Sequence, residues 1–400
     1  MIVVPSRMGI LNKRALLGHL RRVGTASRAD MAKSLGLSQP TAGKIVDELL
    51  EMGVFEEVDG LAPAAKGQAN RVRAGRPARM LRLNQSTAHF LAIELGIEET
   101  RLAPAPAGVT GEDTWTIQVE TPGSAAEWQR VLQATAANLM PKRFWGVLLS
   151  VPGLVDERTG KILYSPNLHW TEKADLKALI TEVWKSPVIL VQEEHALALG
   201  HQTADPEGED FLLVDFGEGV GGAVVVAGKL YAHPLPIRGE LGHTPVPGNP
   251  RQCGCGAVGC LETLSSTRGL LQSFTTANPN APRSWQALVN SIKPDDVPPW
   301  LAGTLDATAG TIAGALNVLG LRRVVLTGAL NDLPRHVLAY LSKAISKGAL
   351  WARFGEIKVE SAPRRRVAGL VAAGLDQLIM PIPDAERTEE TLLHISAARG

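Results

Sequence analysis

The sequence predicts an α/β protein with a small, basic, helical module in front of it, and three observations carry that prediction. From Ile10 to Leu50 apolar residues recur at helical spacing in three runs separated by short polar turns. Residues 1–82 hold 14 Lys and Arg against 7 Asp and Glu, a surplus of +7, and since the whole chain carries +1 the remainder carries −6. Beyond Asn84, short apolar strands alternate with glycine turns and amphipathic helices, the rhythm of an α/β domain. With 400 residues, 45% of them hydrophobic, the chain is long enough for two or three domains. No apolar run approaches the roughly 18 residues needed to cross a bilayer. The start, MIVVPSRMGILNKR, is too briefly apolar to direct export. A cytoplasmic protein with no membrane partner and with reduced cysteines is expected.

In the front module, Ile10, Leu11, Leu16, Leu17, Leu20 and Val23 mark a first helix. Ser27 and Asp30 have the S-x-x-D spacing of a capped start to a second, which Gly36 ends. Ser38 caps a third helix, with Pro40 in its first turn, where a missing amide costs nothing. Ala42, Ile45, Val46, Leu49 and Leu50 form its inward face. Ser38, Gln39, Thr41 and Lys44 are left outside near its N-terminus, where a helix-turn-helix presents side chains to base edges. Gly43 in mid-helix costs about 1 kcal/mol against Ala, a flaw that close packing would excuse. Residues 52–58 and 79–84 read as strands flanking a loop rich in Gly, Ala and Arg, which makes a wing. The segment 66–82 has six Lys and Arg and no acid, and Arg73 and Arg76 at the wing tip suit the minor groove or its phosphates. Residues 1–84 are therefore expected to be a winged helix-turn-helix DNA-binding domain. The alternative is a helical protein-docking module with a basic loop.

Strands are expected at 89–96, 143–151, 188–192, 211–217, 223–231 and 322–328, and helices at 125–140, 174–184, 262–274 and 305–320. Strand-plus-glycine segments near Gly96 and Gly217 hint at duplicated halves. The tail after Pro381 is patterned only enough for one final helix.

All three cysteines lie within CGCGAVGC, residues 253–260. A secreted disulfide framework would show an even count spread along a small chain, and a redox pair would leave one cysteine unexplained. Thiolates on a Gly-rich turn that aims them at one point suggest a metal site lacking one ligand, to be supplied from elsewhere.

The surrounding string GELGHTPVPGNPRQCGCGAVGCLE resembles the signature of the ROK family (repressors, open reading frames, kinases), in which G-E-x-G-H is followed by C-x-C-G-x-x-G-C-x-E. The resemblance extends through SVPGLVDERTGKILYSPNLHW, DFGEGVGGAVVVAGKLY and LRRVVLTGAL, covering nearly all of 90–375, and a winged helix in front is the layout of the family's repressor branch. It implies a two-lobed actin/hexokinase-like (ribonuclease H-like) sugar-kinase fold over 85–400, serving as effector and oligomerisation domain. It also implies that His243 joins Cys253, Cys255 and Cys260 around a structural Zn2+, a closed ligand set with no open position for water. Glu240, His243 and Glu262 match sugar-binding positions of the family, and Glu193 matches its catalytic Asp.

Measured against that pattern, the kinase apparatus is damaged. Gln192 and Glu193 replace an Asn-Asp pair, and the extra methylene displaces the carboxylate by roughly an ångström, which catalysis tolerates poorly. The first phosphate loop, D-x-G-G-T in the family, reads Glu94-Leu95-Gly96-Ile97-Glu98-Glu99. The second, normally G-T-G, reads Gly217-Glu218-Gly219, and the adenosine-side turn is Thr327-Gly328-Ala329. Carboxylates where triphosphate would lie repel it. The expectation is a non-catalytic DNA-binding regulator, a repressor of sugar metabolism or transport genes, acting as a homodimer or homotetramer on a two-fold symmetric double-stranded operator. A sugar or sugar derivative, smaller or differently substituted than glucose and held by Glu193, Glu240, His243 and Glu262, would be its effector. The rival is an ATP-dependent sugar kinase with a DNA-binding extension; a third class is a docking adaptor.

Overall fold

The computed structural model describes residues 5–58, 79–139, 143–231 and 239–381. The chain divides into two units, one made of 1–90, 105–109 and 371–400, the other of 91–104 and 110–370.

In the first unit, α1 (Pro5–Val23), β1 (Ala26–Ser27), α2 (Arg28–Ser34), α3 (Gln39–Glu51), β2 (Phe55–Val58) and β3 (Met80–Leu83) follow in order. Ser27 and Asp30 form the expected reciprocal capping box at α2. Ser38 accepts the Thr41 amide at the start of α3. Leu16, Leu17, Leu20, Met31, Ala42, Val46, Leu49, Phe55 and Leu81 bury the apolar faces of these elements together, and β3 lies antiparallel between β1 and β2. In the same unit Arg14 donates to the carbonyls of Asp376 and Met380 at 2.8 and 2.9 Å. Gly43 has open space where a Cβ would stand, so close packing is not its reason. The wing tip with Arg73 and Arg76 lies outside the described residues, as does the tail beyond residue 381.

The next elements are β4 (Ala88–Leu95), β5 (Glu99–Pro106), β6 (Ile117–Glu120), α4 (Ala125–Asn138), β7 (Gly146–Val151), β8 (Leu154–Asp156), β9 (Lys161–Tyr164), α5 (Leu176–Trp184), β10 (Val188–Gln192) and α6 (Glu193–Ala204). They are followed by β11 (Phe211–Phe216), β12 (Val220–Val226), β13 (Lys229–Leu230), α7 (Glu262–Ser265), α8 (Thr267–Ala277), α9 (Trp285–Ser291), α10 (Pro299–Leu319), β14 (Arg323–Gly328), α11 (Arg335–Gly348), β15 (Lys358–Ser361) and α12 (Arg366–Gly374). Two five-stranded sheets result, ordered β6-β5-β4-β7-β10 and β13-β12-β11-β14-β15. The orders correspond strand for strand, each placing the first strand of its half in the centre. β7 with β10, and β14 with β15, are parallel pairs at corresponding positions. Such a parallel arrangement buries both faces, which is why β7, β11 and most of β14 read as continuous apolar runs.

The helix expected over 262–274 is two helices. Ser266 adopts an extended conformation and accepts the Gly269 amide, capping α8 and ending α7 after one turn. α6 and α12 approach so closely that a Cβ at Gly369 would lie 1.7 Å from the Ala196 carbonyl oxygen, and one at Gly200 would lie 1.9 Å from that of Arg365. Gly369→Ala is therefore expected to cost about 1–3 kcal/mol through overpacking. Gly43→Ala, made in open space within a helix, is expected to stabilise by about 0.5–1 kcal/mol. Urea denaturation of the two variants checks both signs.

Candidate functional site

A cleft of about 460 Å³ opens in the second unit. Its walls are the ends of β4, β10 and β11, the first turn of α6, the 217–219 turn, and the segment from Gly239 to α7. Strand ends deliver Glu94, Gln192 and Asp215, while α6 begins with Glu193 and Glu194. The damaged phosphate loops predicted from sequence, with Glu98 and Glu218, face this same space.

Arginines from the chain itself neutralise part of this acidity. Arg366, whose side chain is 1% exposed, pairs with both Glu94 and Glu193. Arg364 makes two hydrogen bonds of 2.8 Å to the two oxygens of Asp215, and Thr327 donates to the same carboxylate at 2.7 Å. Burial opposes ionisation of Asp215, but Arg364 outweighs it and holds the carboxyl below its usual range. At Glu193 burial wins over the pull of Arg366 and pushes the carboxyl up. Glu194, buried and beside Glu193, is pushed well above the usual carboxylate range. Burial, with Glu98 and Glu193 nearby, raises Glu218.

One wall of the cleft leads to the cysteines. His243, Cys253, Cys255 and Cys260 offer ligand atoms all within 4.8 Å of one another. Cys255 and Cys260 sulfurs are 3.7 Å apart, as are Cys253 Sγ and His243 Nδ1. Ligands of a tetrahedral zinc at ~2.3 Å for sulfur stand roughly 3.7 Å from each other, so the set fits the ion. Burial and the neighbouring thiols push Cys260 up to about 12. The other imidazole nitrogen, Nε2, lies 3.7 Å from Glu240, the position from which a carboxylate orients a metal-bound histidine.

Of the residues singled out in the sequence, Glu193, Glu240, His243 and Glu262 all line the one cleft. Ser38, Gln39, Thr41 and Lys44 are exposed at the start of α3, with the Ser38 hydroxyl engaged in capping. Sequence reasoning missed Arg364 and Arg366, although three consecutive arginines ahead of a glycine-containing apolar helix were a usable signal. Removing Arg366 strands two carboxylates in a poorly solvated place, so Arg366→Ala is expected to cost about 3–5 kcal/mol, read as a fall in the denaturation midpoint.

The family model described as "ROK family" matches residues 92–373. The xylose repressor of Caldicellulosiruptor bescii is 26% identical over 274 residues, spanning 65% of this chain and 65% of that one. This chain thus spans just under two thirds of that relative. Among solved structures, a ROK family transcriptional regulator described as a homologue of the E. coli MLC protein superposes with a TM-score of 0.67 at 20% identity, covering 94% of this chain and 98% of the other. The ROK hexokinase of Thermus thermophilus superposes with a TM-score of 0.56 at 23% identity, covering 72% and 96%. These likenesses establish the actin/hexokinase-like architecture of the second unit, and with the match over 92–373 they show that the chain belongs to the ROK family.

Proposed function

We propose that the protein is a sequence-specific DNA-binding repressor of sugar metabolism or transport genes, in which residues 1–84 bind the operator and residues 85–400 sense a sugar without phosphorylating it. The observation that carries this reading is the engagement of Glu193 by Arg366, in a chain that keeps an exposed polar face at the start of α3. A general base must be free to take a proton from the attacking hydroxyl. Here the carboxylate at that position is held in an ion pair, and Glu98 and Glu218 stand in the phosphate loops. The relative of C. bescii is named for repression, in keeping with this reading. A coupled assay should detect no ATP-dependent phosphorylation of common hexoses; phosphorylation abolished by Glu193→Ala would make the protein a kinase instead.

The DNA side follows from the same reading. A single winged helix covers a short half-site, so a homodimer on a two-fold symmetric operator is the expected assembly. Gln39, Thr41 and Lys44 set sequence preference, and Arg73 and Arg76 add affinity that falls as salt rises. Lys44→Ala should weaken operator binding by about 1–3 kcal/mol and relax its specificity. Arg76→Ala should weaken all sequences alike and flatten the salt dependence measured by fluorescence anisotropy.

The cysteine cluster is proposed to hold one structural Zn2+ through His243, Cys253, Cys255 and Cys260. The ion would supply the charge that stabilises three thiolates and would fix the loop carrying Glu240 and Glu262. Elemental analysis should find about one equivalent per chain, and chelation or Cys255→Ser should lower the melting temperature. A metal-free protein of full stability would exclude it.

A further inference from the structure

The cleft is unbalanced in a way the damaged kinase motifs do not explain. Its guanidinium groups are used internally, Arg101 on Glu94 and Glu99 and Arg364 on Asp215. Among the described residues, no Lys or Arg pairs with Glu98, Glu194, Glu218, Glu240 or Glu262, all of which line it. Two further acceptors there are unmet. Gln192 is 3% exposed and lines the cleft, yet its Oε1 has no hydrogen-bond partner. Glu194 Oε2 is likewise buried without a partner. Glu194 is no stray surface group: it packs against Gly221, where a Cβ would come within 2.1 Å of its Oε1. The chain therefore reserves room for this carboxyl beside Glu193. An unmet buried acceptor is satisfied by a donor, and an excess of acidic groups by a cation. A protonated amine, with three donors and no acceptor, answers both.

We infer that the cleft takes a hexose-sized polyol bearing a protonated amine, an amino sugar, with its ammonium group at the Gln192–Glu194 end. This rests on the sugar-sensing reading above and narrows it. A neutral hexose satisfies the acceptors without offsetting the charge. A sugar phosphate brings an anion toward Glu98 and Glu218 and is disfavoured.

Isothermal titration of the full-length protein with glucosamine, glucose, N-acetylglucosamine, glucosamine 6-phosphate and Mg2+ alone tests the inference. Glucosamine is expected to bind at least about tenfold more tightly than glucose, whereas N-acetylglucosamine, which lacks the charge, gains nothing over glucose. Glu194→Gln should reduce the glucosamine-to-glucose ratio about fivefold or more. Equal or tighter binding of glucose, N-acetylglucosamine or the phosphate overturns the inference and leaves the sugar-sensing reading standing. Heat from Mg2+ only, or from none of these ligands, overturns the inference, while operator binding by residues 1–84 is measured separately. An unchanged ratio in a folded Glu194→Gln protein overturns the assignment to Glu194. The wild-type comparison of charged and neutral sugars decides the rest whether or not that variant folds.

Discussion

The site depends on one buried guanidinium. Arg366 stands at the start of α12 and holds Glu94 from the end of β4 and Glu193 from the start of α6. An unpaired charge at 1% side-chain exposure would be prohibitive, and a lone buried carboxylate nearly so. The three groups are tolerable only together. Beside them the start of α12 lies closer to α6 than any side chain at 369 or 200 would permit without a shift, and both positions are glycine.

The same wall links the cleft to the cysteine loop through histidine and glutamate. His243 directs Nδ1 toward Cys253 and Nε2 toward Glu240, so a single ring borders the proposed metal on one edge and the cleft on the other. Glu262 does similar work: its Oε2 accepts the Val220 amide at 3.1 Å, and its Oε1 lies 3.9 Å from Cys253 Sγ. Ordering of the thiolates would therefore be felt in the placement of Glu240 and Glu262, which face the ligand space.

Much of this was legible in the residue order because the governing signals are local. The S-x-x-D box, Ser38 before Pro40 and the 3.6-residue apolar spacing specify the front module within a few residues each. The cysteine spacing and G-E-x-G-H do the same for the loop. What escaped was non-local. Pairing of Arg366 with Glu94 joins residues 272 positions apart, and no periodicity foretells it. β5 carries Pro, Thr and charged residues that weaken the alternation on which strand assignment rests, and β6 alternates over only four residues. Ser266 divided a helix whose apolar pattern runs on across the break, because a cap was available at that point. Gly43 shows the opposite error, a local penalty for which packing offers no compensation.

On the proposed reading, loss of catalysis and gain of binding selectivity would have a common electrostatic origin in this chain. Replacing small residues of the phosphate loops by Glu98 and Glu218 makes the cleft hostile to anions, and the pairing of Arg364 with Asp215 removes a cation that could have offset them. On the proposed non-catalytic reading, a site that need not hold triphosphate requires no positive field, and carboxyl groups such as Glu194 can stand next to Glu193 without penalty to catalysis. Each added carboxyl, however, raises the free energy of the empty cleft, since like charges in a poorly solvated space repel or must hold protons. A ligand that brings positive charge relieves that stress in the bound state alone. The free energy so released is available to bias one conformation of the domain over another, which is what an effector must do and a substrate need not.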